Sequence, residues 1–228
     1  MPEFPKVLSG TALKLIACIS MFIDHACDIM FPYSQSAFMV RLTVGRIAMP
    51  LYIFLLCEGF FNTHNRKKYA ISMLITAIIS EPIYDIAFYG TLFYPAEQNV
   101  CFILLCGLLM LCALDYISLH SNMILHIPVI AAFCIGSYFL NFSYDYTALL
   151  AVAVLYYLHW HRSSVQGLAD CAVVSVFQNT PGAFLAAVPM CLYNGKRGTA
   201  NGKLKYFFYA FYPAHLLILY VVSLLITV

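Results

Sequence analysis

The chain has 228 residues, of which 63% are hydrophobic, 16% aromatic and only 10% charged, with a formal net charge of +2. A soluble domain carries about 25% charged residues, so this composition excludes one. So small a net charge, with no sustained basic stripe, also excludes a nucleic-acid binder. The composition implies an all-α, polytopic transmembrane helix bundle. Because a span uses about 20 residues and the polar stretches between apolar runs are short, residues 1–228 are expected to form a single integral membrane domain.

Apolar runs place membrane segments near 12–31, 41–61, 69–90, 99–118, 122–140, 145–159, 165–179, 182–193 and 204–227, eight to nine in all. The first follows Glu3, Lys6 and Lys14 without a small-residue cleavage pattern, so it reads as a retained helix. The two pieces within 165–193 are each too short to cross a core of about 30 Å. They leave open a pair of short or broken helices, a re-entrant hairpin around Asn179 to Gly182, or one bent span. With alternating segments, Lys6, Lys14, Arg66, Lys67, Lys68, Arg162, Lys196, Arg197, Lys203 and Lys205 share one side, and the opposite loops hold no Lys or Arg. Positive loops stay inside, so the N-terminus is expected in the cytoplasm and the protein in the cell (inner, cytoplasmic) membrane. The nine cysteines show neither a CxxC pair nor metal-ligand spacing and read as packing residues, with no metal expected.

Ionisable side chains inside these runs need partners or a task, since burying them costs several kcal/mol. On the first segment Asp28 lies three residues after His25 and four after Asp24, so it is the better local orienter of the imidazole. A carboxylate beside a buried histidine favours proton transfer near neutrality; the plainer alternative is a packing histidine. The second segment carries Arg46 and Glu58, about 18 Å apart along a helix and unable to pair. Arg46 reads either as a salt-bridge partner of Asp24 or Asp28, or as an oxyanion stabiliser. On the third, Glu81 and Asp85 share a face and call for a cation or a shared proton; Arg41 and Arg46 are the available cations. Asn99 reads as an N-cap. On the last, Tyr206, Tyr209, Tyr212 and His215 recur every third residue along one side, with Pro213 loosening the backbone. The loop Tyr193-Asn194-Gly195-Lys196-Arg197-Gly198, with Arg66, Lys67 and Lys68, concentrates positive charge suited to lipid headgroups or to a phosphate-rich donor.

Several of these strings together resemble the TraX family, whose founding member is associated with N-terminal acetylation of conjugative pilin. The matching stretches are Leu13-Lys-Leu-Ile with Ile23-Asp24-His25, Gly45-Arg46-Ile-Ala-Met-Pro50-Leu with Glu58-Gly59-Phe, Thr63 to Tyr69, Ile79-Ser-Glu81-Pro with Asp85, Asn99-Val, and Tyr193 to Gly198 with Lys205 to His215. Cys27 stands where family members commonly have glycine, and their proline falls one residue after Pro82. The resemblance implies a transmembrane acyltransferase using acetyl-CoA or another acyl-CoA as co-substrate, acting on a pilin-like peptide or an envelope glycan. It implies His25 as the base, with Asp24, Asp28, Arg46, Glu81 and Asp85 organising the site and His215 as a second proton carrier or acceptor-binding group. It further implies that Arg66, Lys67, Lys68, Tyr193, Asn194, Lys196 and Arg197 receive the nucleotide. Buried acids and histidines also build proton relays, so the competing expectation is a proton-coupled transporter or flippase of an envelope component. A non-catalytic assembly partner leaves those charges without a use.

Overall fold

The computed structural model describes residues 5–159, 161, 163–198 and 202–226; Arg162 and the Lys203 side chain, both used above for orientation, lie outside them. In chain order the helices are α1 (Gly10–Met30), α2 (Gln35–Thr43), α3 (Ala48–Asn62), α4 (Arg66–Tyr89), α5 (Val100–His120), α6 (His126–Phe139), α7 (Asp145–Leu158), α8 (Ser163–Phe177), α9 (Ala187–Cys191) and α10 (Gly202–Ile226). Side chains at the boundaries explain where several begin. Ser9, Ser34, Asn65 and Asn99 each accept a backbone N–H from the first turn of α1, α2, α4 and α5, satisfying donors that have no partner within the helix.

The second expected segment, 41–61, starts earlier than expected, at Gln35, and is broken into α2, a 3-10 turn (Gly45–Ile47) and α3. Two causes meet there. Pro50 has no N–H and its ring crowds the carbonyl one turn earlier. Ser20 of α1 donates to the carbonyls of Val44 at 2.6 Å and Gly45 at 3.0 Å, drawing the break against α1. Gly45 is required at this approach, because a Cβ would fall on the Asp24 carboxylate.

The open alternatives for 165–193 resolve into a hairpin. After α8 the chain turns at Asn179, in the left-handed region with φ 51, and returns through a 3-10 stretch (Pro181–Ala186) and α9 alongside α8. Gly182 rests so close to the Leu42 carbonyl that any side chain would overlap it, which seats this return against α2.

Helix α3 runs through the centre, with Leu51, Ile53, Phe54, Leu56 and Phe60 buried against α1, α5, α7 and α8. The outward faces are apolar too: Ile75, Ile78 and Ile79 of α4 and Ile218, Val221 and Leu225 of α10 are exposed. Four stretches, Gln35–Asn62, Arg66–Tyr89, Val100–His120 and Leu204–Ile226, are long and apolar enough to cross a membrane; Met123–Phe139, Asp145–Leu158, Ser164–Phe177 and Pro181–Cys191 are apolar but shorter. Two main-chain clasps tie the ends of the bundle. At one, Leu8 N donates to Leu192 O and Gly10 N to Lys196 O; at the other, Gln98 N donates to Asn141 O and Ser143 N to Gln98 O.

Candidate active site

Helix α10 packs between α1 and α4, and this brings the two expected histidines together across 190 residues of sequence. His25 Nδ1 lies 2.8 Å from His215 Nε2, with ring planes 7° apart and centroids separated by 5.0 Å. That combination is an edge-to-edge, in-plane N–H···N bond rather than face-to-face stacking. His215 Nδ1 is 2.7 Å from the Phe211 carbonyl one turn earlier on α10. Phe88 of α4 stands edge-on to His25 at 5.4 Å and Phe211 lies flat against His215 at 4.7 Å, so aromatic walls fix both rings. The orienter of His25 is therefore His215 and not Asp28, which the local spacing had favoured.

Asp28 is turned away to Arg41 of α2, with which it forms a close ion pair, and Asp24 stands 3.9 Å from the same guanidinium. Arg46, on the 3-10 turn, reaches the Tyr144 hydroxyl at 3.3 Å rather than a carboxylate, and its Nε is buried without a partner. The expected salt bridge of Arg46 to Asp24 or Asp28 is thus made by Arg41. This charged group lies beside the α1–α10 seam, towards the loops at 31–34 and 140–144.

Glu81 and Asp85 meet neither arginine. Glu81 accepts from the backbone N–H of Asn99 at 3.1 Å and from its side-chain amide, while the buried Asp85 accepts from Tyr94 N at 2.8 Å. Both fasten the 90–99 loop to α4, and Asn99 caps α5 as its position implied. The hub of this end is Glu97, which accepts from Tyr84 at 3.1 Å, Tyr89 at 2.6 Å and Ser143 at 2.8 Å. Sequence reasoning missed it because it sits in a polar loop. Asp170 was missed as well, although its place inside the apolar run of α8 was a usable signal; it is fully buried, with neither oxygen hydrogen-bonded among the described residues.

A cavity of about 690 Å³ opens at the other end of the bundle, between α1, α3, α4, α5 and α10. Lys14, Lys68, Arg197 and Lys205 line its outer part, and Tyr52, Cys18, Met21, Cys101 and Tyr212 its deep end. Of the expected nucleotide-binding group, Lys68, Tyr193 and Arg197 are on the wall. Lys67 and Lys196 are exposed and not part of that wall, and Asn194 caps the 194–196 turn by accepting from Lys196 N. Arg66 is committed elsewhere: it pairs with Asp115 and lies 4.0 Å from the centre of the Phe60 ring. Lys14 of α1 and Lys205 of α10 line the cavity as well. Glu58 finds its partner here, accepting from the Tyr193 hydroxyl at 2.9 Å. Burial and the adjacent Glu58 carboxylate push the Tyr193 phenol up, so it stays a donor.

The cavity and the histidines are neighbours, not one chamber. Met21 precedes His25 by one turn of α1 and Tyr212 precedes His215 by one turn of α10, so those two side chains form a floor with the pair about 5 Å beyond it. The Tyr212 ring, 6.2 Å from that of His25, is the shared wall.

Long apolar helices, outward apolar faces and ionisable groups gathered inside define a multi-pass helical membrane protein. The chain belongs to the TraX family: the family described as TraX protein matches it over residues 9–223. It is 28% identical over 234 residues to a protein named probable fimbrial assembly protein FimC, serogroup H1, from Dichelobacter nodosus, covering 92% of this chain and 94% of that protein. No solved structure matches.

Proposed function

We propose that this protein is an acyltransferase of the cytoplasmic membrane, moving an acetyl or other acyl group from cytosolic acyl-CoA to an amine or hydroxyl acceptor. The observation that carries this reading is the cavity: cations at its mouth, an apolar and aromatic deep end, and the histidine pair one turn beyond the floor. Lys14, Lys68, Arg197 and Lys205 suit the phosphates of the donor, and the N-terminus of α4, whose Asn65 and Lys68 line the cavity, adds the positive end of a 24-residue helix dipole. The pantetheine arm then lies along Glu58, Tyr52 and Cys18, with the thioester against Tyr212.

In the transfer, the acceptor nitrogen or oxygen attacks the thioester carbonyl carbon while His25 takes its proton; the carbon–sulfur bond breaks, and the departing thiolate takes that proton as free CoA. The Tyr212 ring must swing aside for the thioester to meet His25. Pro213, inside α10, assists by leaving the Tyr209 carbonyl without its usual donor. Arg46, with spare donors beside the pair, steadies negative charge on the acceptor or the acyl oxygen. The fimbrial relative favours a pilin-like peptide over an envelope glycan as acceptor.

The test is release of free CoA from acetyl-CoA by detergent-purified protein supplied with an acceptor peptide or hydroxylamine. Turnover that His25→Ala reduces at least about 100-fold, with an unchanged unfolding temperature, is the expected result. Undiminished turnover in that variant, or proton-driven flux in proteoliposomes with no CoA requirement, overturns it.

A further inference from the structure

We infer that His215 is a positioning residue that locks His25 into the tautomer with hydrogen on Nδ1, leaving His25 Nε2 as the proton acceptor. The inference rests on the reading of His25 as the base and specifies which of its atoms does the work.

The assignment follows from one group that has no choice. The Phe211 carbonyl only accepts, so His215 Nδ1, 2.7 Å away, carries a hydrogen. A neutral imidazole has one N–H, which makes His215 Nε2 the bare nitrogen of that ring. His25 Nδ1, 2.8 Å from it, must then be the donor, and His25 Nε2 is left bare. Among the described residues Nε2 has no hydrogen-bond partner, and it is not among the sealed, unsatisfied polar atoms of the interior. Helix α10 thus dictates protonation on α1 through a chain that begins at its own backbone.

This arrangement also gives the proton somewhere to go. When Nε2 of His25 takes a proton, the one on Nδ1 can move across 2.8 Å to His215 Nε2, and the charge shifts to His215 while its Nδ1–H stays on the Phe211 carbonyl. The reverse shift returns the proton to His25 Nδ1 and frees the one on Nε2 for the departing thiolate, so no proton is gained or lost over the cycle.

The experiment uses full-length protein in detergent with ring-15N-labelled histidine, the His25 signals being those lost in His25→Gln. Long-range 1H–15N correlation reads which nitrogen holds the hydrogen. The wild type is expected to show His25 protonated on Nδ1. In His215→Leu, His25 is expected to revert to the Nε2–H form that free histidine prefers, with turnover down about 100-fold or more. In His215→Gln the amide N–H replaces the donor to Phe211 and the carbonyl replaces the acceptor for His25, so the Nδ1–H form is retained and turnover recovers to within about tenfold of wild type. Hydrogen on Nε2 of wild-type His25, or an Nδ1–H signal that survives in His215→Leu, overturns the lock. Wild-type protein that shows the expected tautomers without consuming acetyl-CoA upholds the lock and defeats the acyl-transfer reading.

Discussion

Arg66 and Lys68 stand two residues apart at the start of α4, yet their surroundings assign them different work. Arg66 is held by Asp115 and the face of Phe60, while Lys68 points into the cavity. Arg66→Ala is expected to lower stability by about 0.5–1 kcal/mol, since the ion pair is partly exposed and the ring contact is modest. It should leave the KM for acetyl-CoA within about twofold of wild type. Lys68→Ala removes a charge-assisted bond worth about 1.5 kcal/mol and should raise that KM roughly tenfold with the unfolding temperature unchanged. Steady-state kinetics with thermal unfolding of both variants decides the matter, and an equal rise in KM for the two would contradict the assignment. The run Arg66-Lys67-Lys68 showed where positive charge gathers but not which member faces inward, because Asp115 lies 49 residues away in sequence.

At the level of elements, the break between α2 and α3 is what sets Arg46 beside the histidine seam. A continuous helix would bring its full hydrogen-bond ladder through 44–47 and deny Ser20 its two carbonyls. Gly45→Ala is expected to cost about 1–3 kcal/mol, because the new methyl collides with Asp24 and forces α1 and the turn apart. Gly136→Ala in α6, where nothing lies within 4 Å, is the control and should be neutral or slightly stabilising. Equal thermal stability of the two variants would show that the close approach does not hold the break.

Most of the helices were legible as apolar runs bounded by polar residues, and Asn99 announced its own cap, but α2 was not, since most of it precedes the expected start at 41. The break was not, since one of its two causes is a serine on another helix. The α1–α10 pairing was half legible: two histidines in apolar runs stood out, but the choice of His215 over Asp28 as partner needed the packing of α10 between α1 and α4. Spacing along one helix favoured the wrong orienter because Arg41, on α2, holds Asp28.

Over the whole molecule, the two ends differ in how their charges are used. Around the cavity mouth lie Lys14, Lys68, Arg197 and Lys205, with Lys67 and Lys196 exposed nearby. At the opposite end the arginines sit among Asp24, Asp28 and Tyr144, and the loops carry Glu97 but no lysine. A membrane inserts such a chain with the positive loops retained on the cytoplasmic side. This orientation is also the only one in which the cavity draws on a cytosolic donor, so topology and function stand or fall together. Alkaline phosphatase, which folds only outside the cytoplasm, is expected to be active when fused after Tyr33, a fully exposed residue of the 31–34 turn, and inactive when fused after His64 at the cavity mouth. A fluorescent reporter that matures only in the cytoplasm should give the reverse pattern. The hairpin of α8 and α9 adds a second reading: because it returns to Leu8, fusion after Gln178 should be active and fusion after Gly195 inactive. Activity after His64 would place the cations outside and remove the donor from reach. Activity after both Gln178 and Gly195 would instead leave the orientation intact and show that the return from Pro181 to Cys191 does not carry the chain back across the membrane.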